Sequence, residues 1–175
     1  MDSEQQRRLV ERAQDGDADA WIDLYRHAYP RLRVYAATRV GYDVADDLVS
    51  ETMVRAVAGI GRYRWQAVGF DAWLFGILRR VCADHHRRHA RRGRDTGAGV
   101  EPDRAGDDLV RADEHSEVRA AFARLSGSDR QLLELRVIAG LSAEDVGRVL
   151  GKRPGAVRSA QSRALAHLRQ LLDES

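Results

Sequence analysis

The stretch SAEDVGRVLGKRPGAVRSAQSRALAHLRQLL, residues 142–172, decides how the last third of the chain folds. Ser142-Ala143-Glu144-Asp145 is a box-like helix cap opening a short run from Val146 to Leu150, which Gly151 closes. After Lys152 and Arg153, Pro154 stands where a helix can start, because its fixed φ and missing N–H suit a first turn. In the run that follows, Val157, Gln161, Ala164 and Leu168 share an inward face. Arg158, Ser159, Ser162 and Arg163 lie on or beside the outward one. A short capped helix, a glycine turn and a longer basic helix make a helix-turn-helix pattern. Val146 to Leu172 holds no acidic residue but carries Arg148, Lys152, Arg153, Arg158, Arg163 and Arg169. Such a helix can enter a DNA major groove, its arginines pairing with phosphates or guanine edges. A solvated basic helix packed on a bundle is the plainer alternative.

Immediately upstream, Val118, Ala121, Phe122 and Leu125 form one amphipathic stripe. Ser128-Asp129-Arg130-Gln131 reads as a capping box for Leu132 to Ile138, and Gly140 closes that helix. Residues 93–116 are rich in Gly and Asp, contain Pro102 and lack sustained periodicity, the composition of a mobile linker. Residues 1–92 read as consecutive helices. Leu9, Val10 and Ala13 begin a short one. Asp17 or Asp19 caps the next, with Ala20, Trp21, Leu24, Tyr25 and Ala28 at helical spacing. Pro30 can begin a further segment that Gly41 ends. Asp43 opens another, in which Val44, Leu48, Thr52 and Val57 face one way and Asp46, Asp47, Ser50 and Glu51 another. Gly59 and Gly61 break it before Tyr63-Arg64-Trp65. A last long helix runs from about Phe70 to about Arg92. No strand alternation survives anywhere. The expected fold class is all-α, two small helical domains (1–92 and 117–175) joined by a flexible acidic linker (93–116).

Composition excludes several functions. Of 175 residues 43% are hydrophobic, enough for a core, but no run approaches the roughly 18 apolar residues of a membrane span. The N-terminus is charged and polar, and Cys82 is the one cysteine, so a cytoplasmic protein without disulfides or membrane insertion is expected. The net charge of +2 conceals a pattern. Residues 1–92 and 117–175 are each basic by three charges, and the segment between them is acidic by four. Lys152 is the only lysine, and arginine is the better fork for phosphates and base edges.

Three further groups bear on chemistry. The helix from Phe70 carries Phe70, Trp73, Leu74, Ile77 and Leu78 as a core stripe, then Arg79, Arg80, Arg87, Arg88, Arg91 and Arg92 against the single acid Asp84. Aromatics ahead of a basic helix suit single-stranded DNA, with bases on rings and phosphates along arginines. Tyr63 and Trp65, in a loop, are open to base contact or to the core. Asp46, Asp47 and Glu51 have no nucleophile pattern or further metal ligands beside them, so a solvated or protein-docking face is favoured over a catalytic one. Cys82, His85, His86 and His89 share a helical face, yet one helix rarely gives four tetrahedral ligands, and the neighbours are arginines. No metal, cofactor or catalytic residue is expected.

The order of parts resembles the extracytoplasmic-function (group 4) sigma factors of bacterial RNA polymerase. The resemblance rests on 46–53 (DDLVSETM), 70–80 (FDAWLFGILRR), Leu125 through Ser142, and Gly155-Ala156-Val157-Arg158-Ser159 with Arg163-Ala164. It implies a non-enzymatic subunit that confers promoter specificity on core polymerase. It implies a first domain, region 2, docking on the β′ clamp coiled coil through Asp46, Asp47, Leu48 and Glu51. That domain would capture and help melt the −10 element with Tyr63, Trp65, Arg79, Arg80, Arg87 and Arg88. It also implies a second domain, region 4, by the β flap, reading the −35 element in duplex DNA with Lys152, Arg153, Arg158, Ser159, Ser162 and Arg163. The acidic linker would thread toward the RNA exit path. An anti-sigma factor is a further candidate partner, though no residue here marks one. Ser50 stands where Gln is usual, Arg80 where Asn is common, and Ala160 and Leu165 where basic residues are frequent. Ser162 is small for its position. An unusual base preference or fewer phosphate contacts follows from these departures.

Overall fold

The computed structural model describes residues 1–65, 69–95 and 112–174. The described elements are helical, with no strand among them. The chain divides into two compact units, residues 1–106 and 107–175. Most of the expected linker, residues 96–111, lies outside the described residues.

In the first unit, α1 (Ser3–Gln14) starts on a reciprocal cap. The Asp2 carboxylate accepts from the Gln5 N–H at 2.8 Å, and Gln5 Oε1 accepts from the Asp2 N–H at 3.1 Å. Asp17 rather than Asp19 caps α2 (Ala18–Val40). The expected restart at Pro30 does not occur, and α2 passes through it as one helix. Proline costs a backbone hydrogen bond there. Leu24, Ala28, Leu32, Tyr35 and Ala36 are buried on either side of it, and that burial outweighs the loss. Gly41, at φ 85°, turns the chain into α3 (Tyr42–Gly59).

Helix α3 buries Ala45, Leu48, Val49, Thr52 and Ala56. Val57, expected inward, is 53% exposed. It lies five residues past Thr52, about 140° round the helix, and so leaves the stripe. A 3₁₀ turn (Ile60–Arg62) leads toward α4 (Phe70–Asp95). Helix α4 buries Phe70, Leu74, Phe75, Leu78, Val81 and Cys82, with Phe75 edge-on to Tyr35 at 5.4 Å. It continues beyond Arg92, because an interior glycine such as Gly93 costs only about 1 kcal/mol and does not by itself stop a helix.

Asp71 ties three of these helices together. Gln6 Nε2 of α1 donates to one carboxylate oxygen at 2.9 Å, and Arg31 Nη2 of α2 to the other at 2.6 Å. His27 Nε2 lies 4.0 Å from the same oxygen as Arg31. Desolvation and then the Arg31 charge hold the His27 pKa below its ordinary 6.5, against the opposing pull of Asp71. His85 is shifted the same way, first by desolvation and then by His86 and His89. A folded state that prefers neutral imidazole is destabilised once the unfolded chain takes up protons. The first unit is therefore expected to lose stability as pH falls below about 6.5. Trp21, Trp65 and Trp73, the chain's three tryptophans, all lie in this unit. Their fluorescence should give a lower urea midpoint at pH 5.5 than at 7.5, and a smaller difference with His27 and His85 both changed to Gln.

In the second unit, α5 (Ala112–Arg124) starts within the expected linker; Ala121 and, just past its end, Leu125 are buried, while Val118 is exposed. The cap of α6 (Gly127–Leu133) is Ser126, two residues before the expected Ser128. Its hydroxyl accepts from the Asp129 N–H at 3.1 Å. A Ser-x-x-Asp spacing competes here with a Ser-x-x-Gln one, and the earlier serine faces the helix start. Helix α6 runs into a π-helical turn (Glu134–Ile138), and Gly140 at φ 65° ends it. Ser142 caps α7 (Ala143–Leu150), accepting from the Asp145 N–H at 3.0 Å. Gly151, left-handed at φ 67°, closes α7, and Pro154 opens α8 (Pro154–Asp173). Leu132, Leu133, Leu135, Val146, Val157 and Ala164 form the centre of this core.

Candidate nucleic-acid interface

The helix-turn-helix is held by contacts that sequence patterning does not reveal. Arg136, in the middle of the π turn, donates through Nε to Gln161 Oε1 at 2.8 Å and through Nη1 to the Leu141 carbonyl. It thus fixes α8 to the segment before α7. Gly147 lies directly under the turn: a Cβ there would sit 2.5 Å from the Lys152 carbonyl oxygen. Val157, Ala164 and Leu171 of α8 are buried, and Gln161 and Leu168 are half-buried, as their spacing requires. Lys152, Arg153, Arg158, Ser159, Ser162 and Arg163 are all exposed. Two of them already have partners. Arg158 Nη1 pairs with Glu144 Oε1 at 2.9 Å, and Ser162 Oγ donates to the Arg158 carbonyl at 3.2 Å. The Glu144 carboxyl is held below its usual range, first by its own backbone N–H and then by Arg158. The Ser162 hydroxyl keeps lone pairs for a donor but commits its proton to its own helix.

The acidic face of α3 divides by burial. Asp47 and Ser50 are exposed. Asp46 accepts from the Tyr29 hydroxyl at 2.7 Å and from Arg33 Nε at 3.0 Å. That hydrogen bond, ahead of burial, raises the Tyr29 pKa. Glu51 is half-buried and pairs with Arg55 at 2.5 Å and Arg88 at 3.5 Å. Leu48 does not belong to this face. It is 3% exposed, because it lies on the stripe packed into the unit's core.

Of the two loop aromatics, Tyr63 goes to the core, being 7% exposed. Gln14 Nε2 donates to the carbonyls of both Ile60 and Tyr63 at 2.8 Å, drawing the loop onto α1. The ring then packs on Trp73 at 4.9 Å and Phe70 at 6.0 Å. Trp65 remains half-buried, edge-on to Tyr63 at 6.4 Å. Beside this aromatic group opens a cavity of about 320 Å³ whose lining includes Trp73, Tyr63, Arg62, Arg80 and Arg55. A second cavity, about 490 Å³, is lined by Arg55, Asp84, Arg87, Arg88 and Arg91. Arg80, Arg87 and Arg88 therefore line cavities on one face of α4, whereas Arg79 is half-buried and lines neither. Arg55, unremarked in the sequence reading, lines both. The expected histidine and cysteine group separates: Cys82 is in the core, while His86 and His89 are exposed.

Comparison with known proteins identifies the family of each part of the chain. Residues 24–92 match the family described as sigma-70 region 2, and residues 115–168 match sigma-70 region 4. The chain is 36% identical to the ECF RNA polymerase sigma factor BldN of Streptomyces coelicolor, over 99% of this chain and 68% of BldN. It is 34% identical to the ECF RNA polymerase sigma factor ShbA of Streptomyces griseus, over 95% of this chain and 94% of ShbA. Its structure resembles the sigma factor RpoE of Bartonella quintana, solved with the anti-sigma factor NepR. The TM-score there is 0.70 at 27% identity, covering 86% of this chain and 95% of RpoE. It also resembles CnrH, solved with the cytosolic domain of CnrY, at TM-score 0.70 and 25% identity over 98% and 99% of the two chains.

Proposed function

Because this chain belongs to the extracytoplasmic-function sigma factors of the sigma-70 family, we propose which of its residues meet polymerase and which meet the promoter. As a sigma factor it binds core RNA polymerase and directs promoter-specific initiation. Sigma factors are regulatory initiation factors, and this one is proposed to act without catalysis, cofactor or metal of its own, in the cytoplasm with polymerase. No described helix is long and apolar enough to cross a membrane.

The proposed domains are residues 1–92, which dock and read the −10 element, and 117–175, which read the −35 element, with the acidic segment 93–116 between them. Docking on the β′ clamp is assigned to Asp46, Asp47 and Glu51, three of the four exposed or half-exposed acids of α3. Leu48 supports that helix from inside. An unpaired −10 base is assigned to the aromatic cavity beside Trp73 and Arg80, with Tyr63 as its inner wall and Trp65 edge-on to Tyr63. Arg80 offers a fork of donors where the family commonly has an amide with one acceptor, so base preference there is set by donors alone. Arg87 and Arg88 are assigned to the backbone, and Arg79 is the least accessible of the four arginines named for this element. In the second domain the outward side of α8 reads duplex DNA. The RpoE relative is bound by an anti-sigma factor, and a protein of that kind is by analogy a proposed partner here.

The observation that carries this reading is the presence, in one chain, of an exposed acidic helix face with an aromatic cavity in the region 2 match and an exposed basic recognition helix in the region 4 match. A repressor needs only the last. The test is transcription in vitro with core polymerase and fragmented host DNA, mapping transcript 5′ ends. Discrete starts preceded by two shared motifs are expected. Absence of starts with an active core and a folded chain overturns the assignment.

A further inference from the structure

Arg55 follows Glu51 by one helical turn on α3 and reaches across to α4. Its Nη2 lies 2.5 Å from Glu51 Oε1, and its Nη1 lies 3.2 Å from Asp84 Oδ2. The other Glu51 oxygen meets Arg88 at 3.5 Å, and the other Asp84 oxygen holds Arg87. The charges thus run in one chain, Arg88–Glu51–Arg55–Asp84–Arg87. The cavity of about 490 Å³ along this chain is walled by four arginines and one aspartate. Arg55 also lines the neighbouring aromatic cavity, so it stands on the wall between a pocket suited to a base and one suited to a phosphate. In the free protein two of the arginines that could hold the phosphate are occupied by Glu51, which belongs to the docking face.

We propose that the arginine-walled cavity is a site for a DNA backbone phosphate, that Arg55 is its ligand from α3, and that Glu51 gates it. Polymerase docking on the acidic face draws Glu51 away, which releases Arg88 and the Nη2 side of Arg55, still anchored to Asp84 through Nη1, to take the phosphate. This inference rests on the sigma-factor reading and assigns that reading a residue and a coupling it does not contain. The pairs are half-exposed and therefore individually weak, so a docking partner can break them. A phosphodiester offers each guanidinium a bidentate, charge-assisted partner in exchange. Coupling of this kind is reciprocal: polymerase tightens the strand, and the strand tightens polymerase.

The test is anisotropy of a fluorescein-labelled oligo(dT) titrated with the full free chain over a range of salt. Glu51→Gln is expected to tighten binding about two- to fivefold at low salt, an increase that misfolding cannot produce. Asp43→Asn removes the same charge from the same helix and is expected to do much less; an equal gain overturns the gate. Arg55→Gln is expected to weaken binding and to flatten the salt slope by about 0.7, the loss of one single-strand phosphate contact, with Arg55→Lys intermediate. Circular dichroism of each variant shows that it is folded. If Arg87 and Arg88 changed together to Gln weaken binding while Arg55→Gln and Glu51→Gln do nothing, the proposal is overturned and the strand-binding role of α4 stands. If the double change also does nothing, that role falls as well. Inorganic phosphate at matched ionic strength is expected not to compete; competition would reassign the cavity to a free anion and overturn the strand.

Discussion

Lysine at both Asp46 and Asp47 is expected to cut promoter-directed transcription by about tenfold or more, with loss of comigration with core polymerase on gel filtration. Opposed like charges across an interface cost several kcal/mol, and each 1.4 kcal/mol is a factor of ten in affinity. The fold should survive the change. Asp47 is exposed, and the Asp46 contacts with Tyr29 and Arg33 are surface contacts worth about 1 kcal/mol or less. The tryptophan-monitored urea midpoint should therefore move little while transcription collapses. Leu48→Ala is the converse case. It removes a buried side chain from the core face of α3, so it should lower that midpoint, and any loss of transcription should follow the loss of fold. Full transcript yield from the Asp46/Asp47 variant in a folded chain would remove the acidic face from the docking role.

The second large effect is expected from one methyl group. Gly147→Ala places a Cβ 2.5 Å from the Lys152 carbonyl oxygen, with the Pro154 nitrogen also close, at 3.6 Å. The obstacle is backbone rather than a movable side-chain tip. The same turn is closed from the other side by the Lys152 N–H, which donates to the Gly147 carbonyl at 2.6 Å. The turn must open, at a cost of about 1–3 kcal/mol. In so small a unit that is a large fraction of a stability of about 5–15 kcal/mol at most. Every tryptophan and tyrosine lies before residue 64 or at Trp65 and Trp73, in the first unit. The change should therefore appear as a lowered far-ultraviolet circular dichroism transition with tryptophan fluorescence unaltered. Promoters that depend on the −35 element should lose transcription first. An unchanged melting profile would mean that the turn is looser than its geometry indicates.

Much of this was legible in the residues. Ser142 read as a cap, and Asp17 as one of two candidates with Asp19, because capping is a contact between residues two or three apart. Gly151 and Pro154 read as the end and start of helices for similarly local reasons. The inward face of α8 followed from three-and-four spacing, since its core partners lie along a single stripe. Where two local rules competed, the reading slipped: Ser126 and Ser128 both offer a cap, and Pro30 alone does not reveal that burial on either side of it carries α2 onward.

By itself the sequence determined the all-α class, the capped helix-turn-helix, the basic outward side of α8 and the acidic stretch of α3, because each is written in neighbours within one or two turns. Only the tertiary structure decided that Leu48 and Tyr63 turn inward, that Arg136 clamps Gln161, and that Glu51 of α3 meets Arg88 of α4. Each of those depends on a partner brought close by packing. The Tyr63 loop is drawn in by an amide 49 residues away, and Arg88 meets a carboxylate 37 residues back. Such pairings have no period along the chain, and they exist only once buried apolar stripes have set the helices side by side.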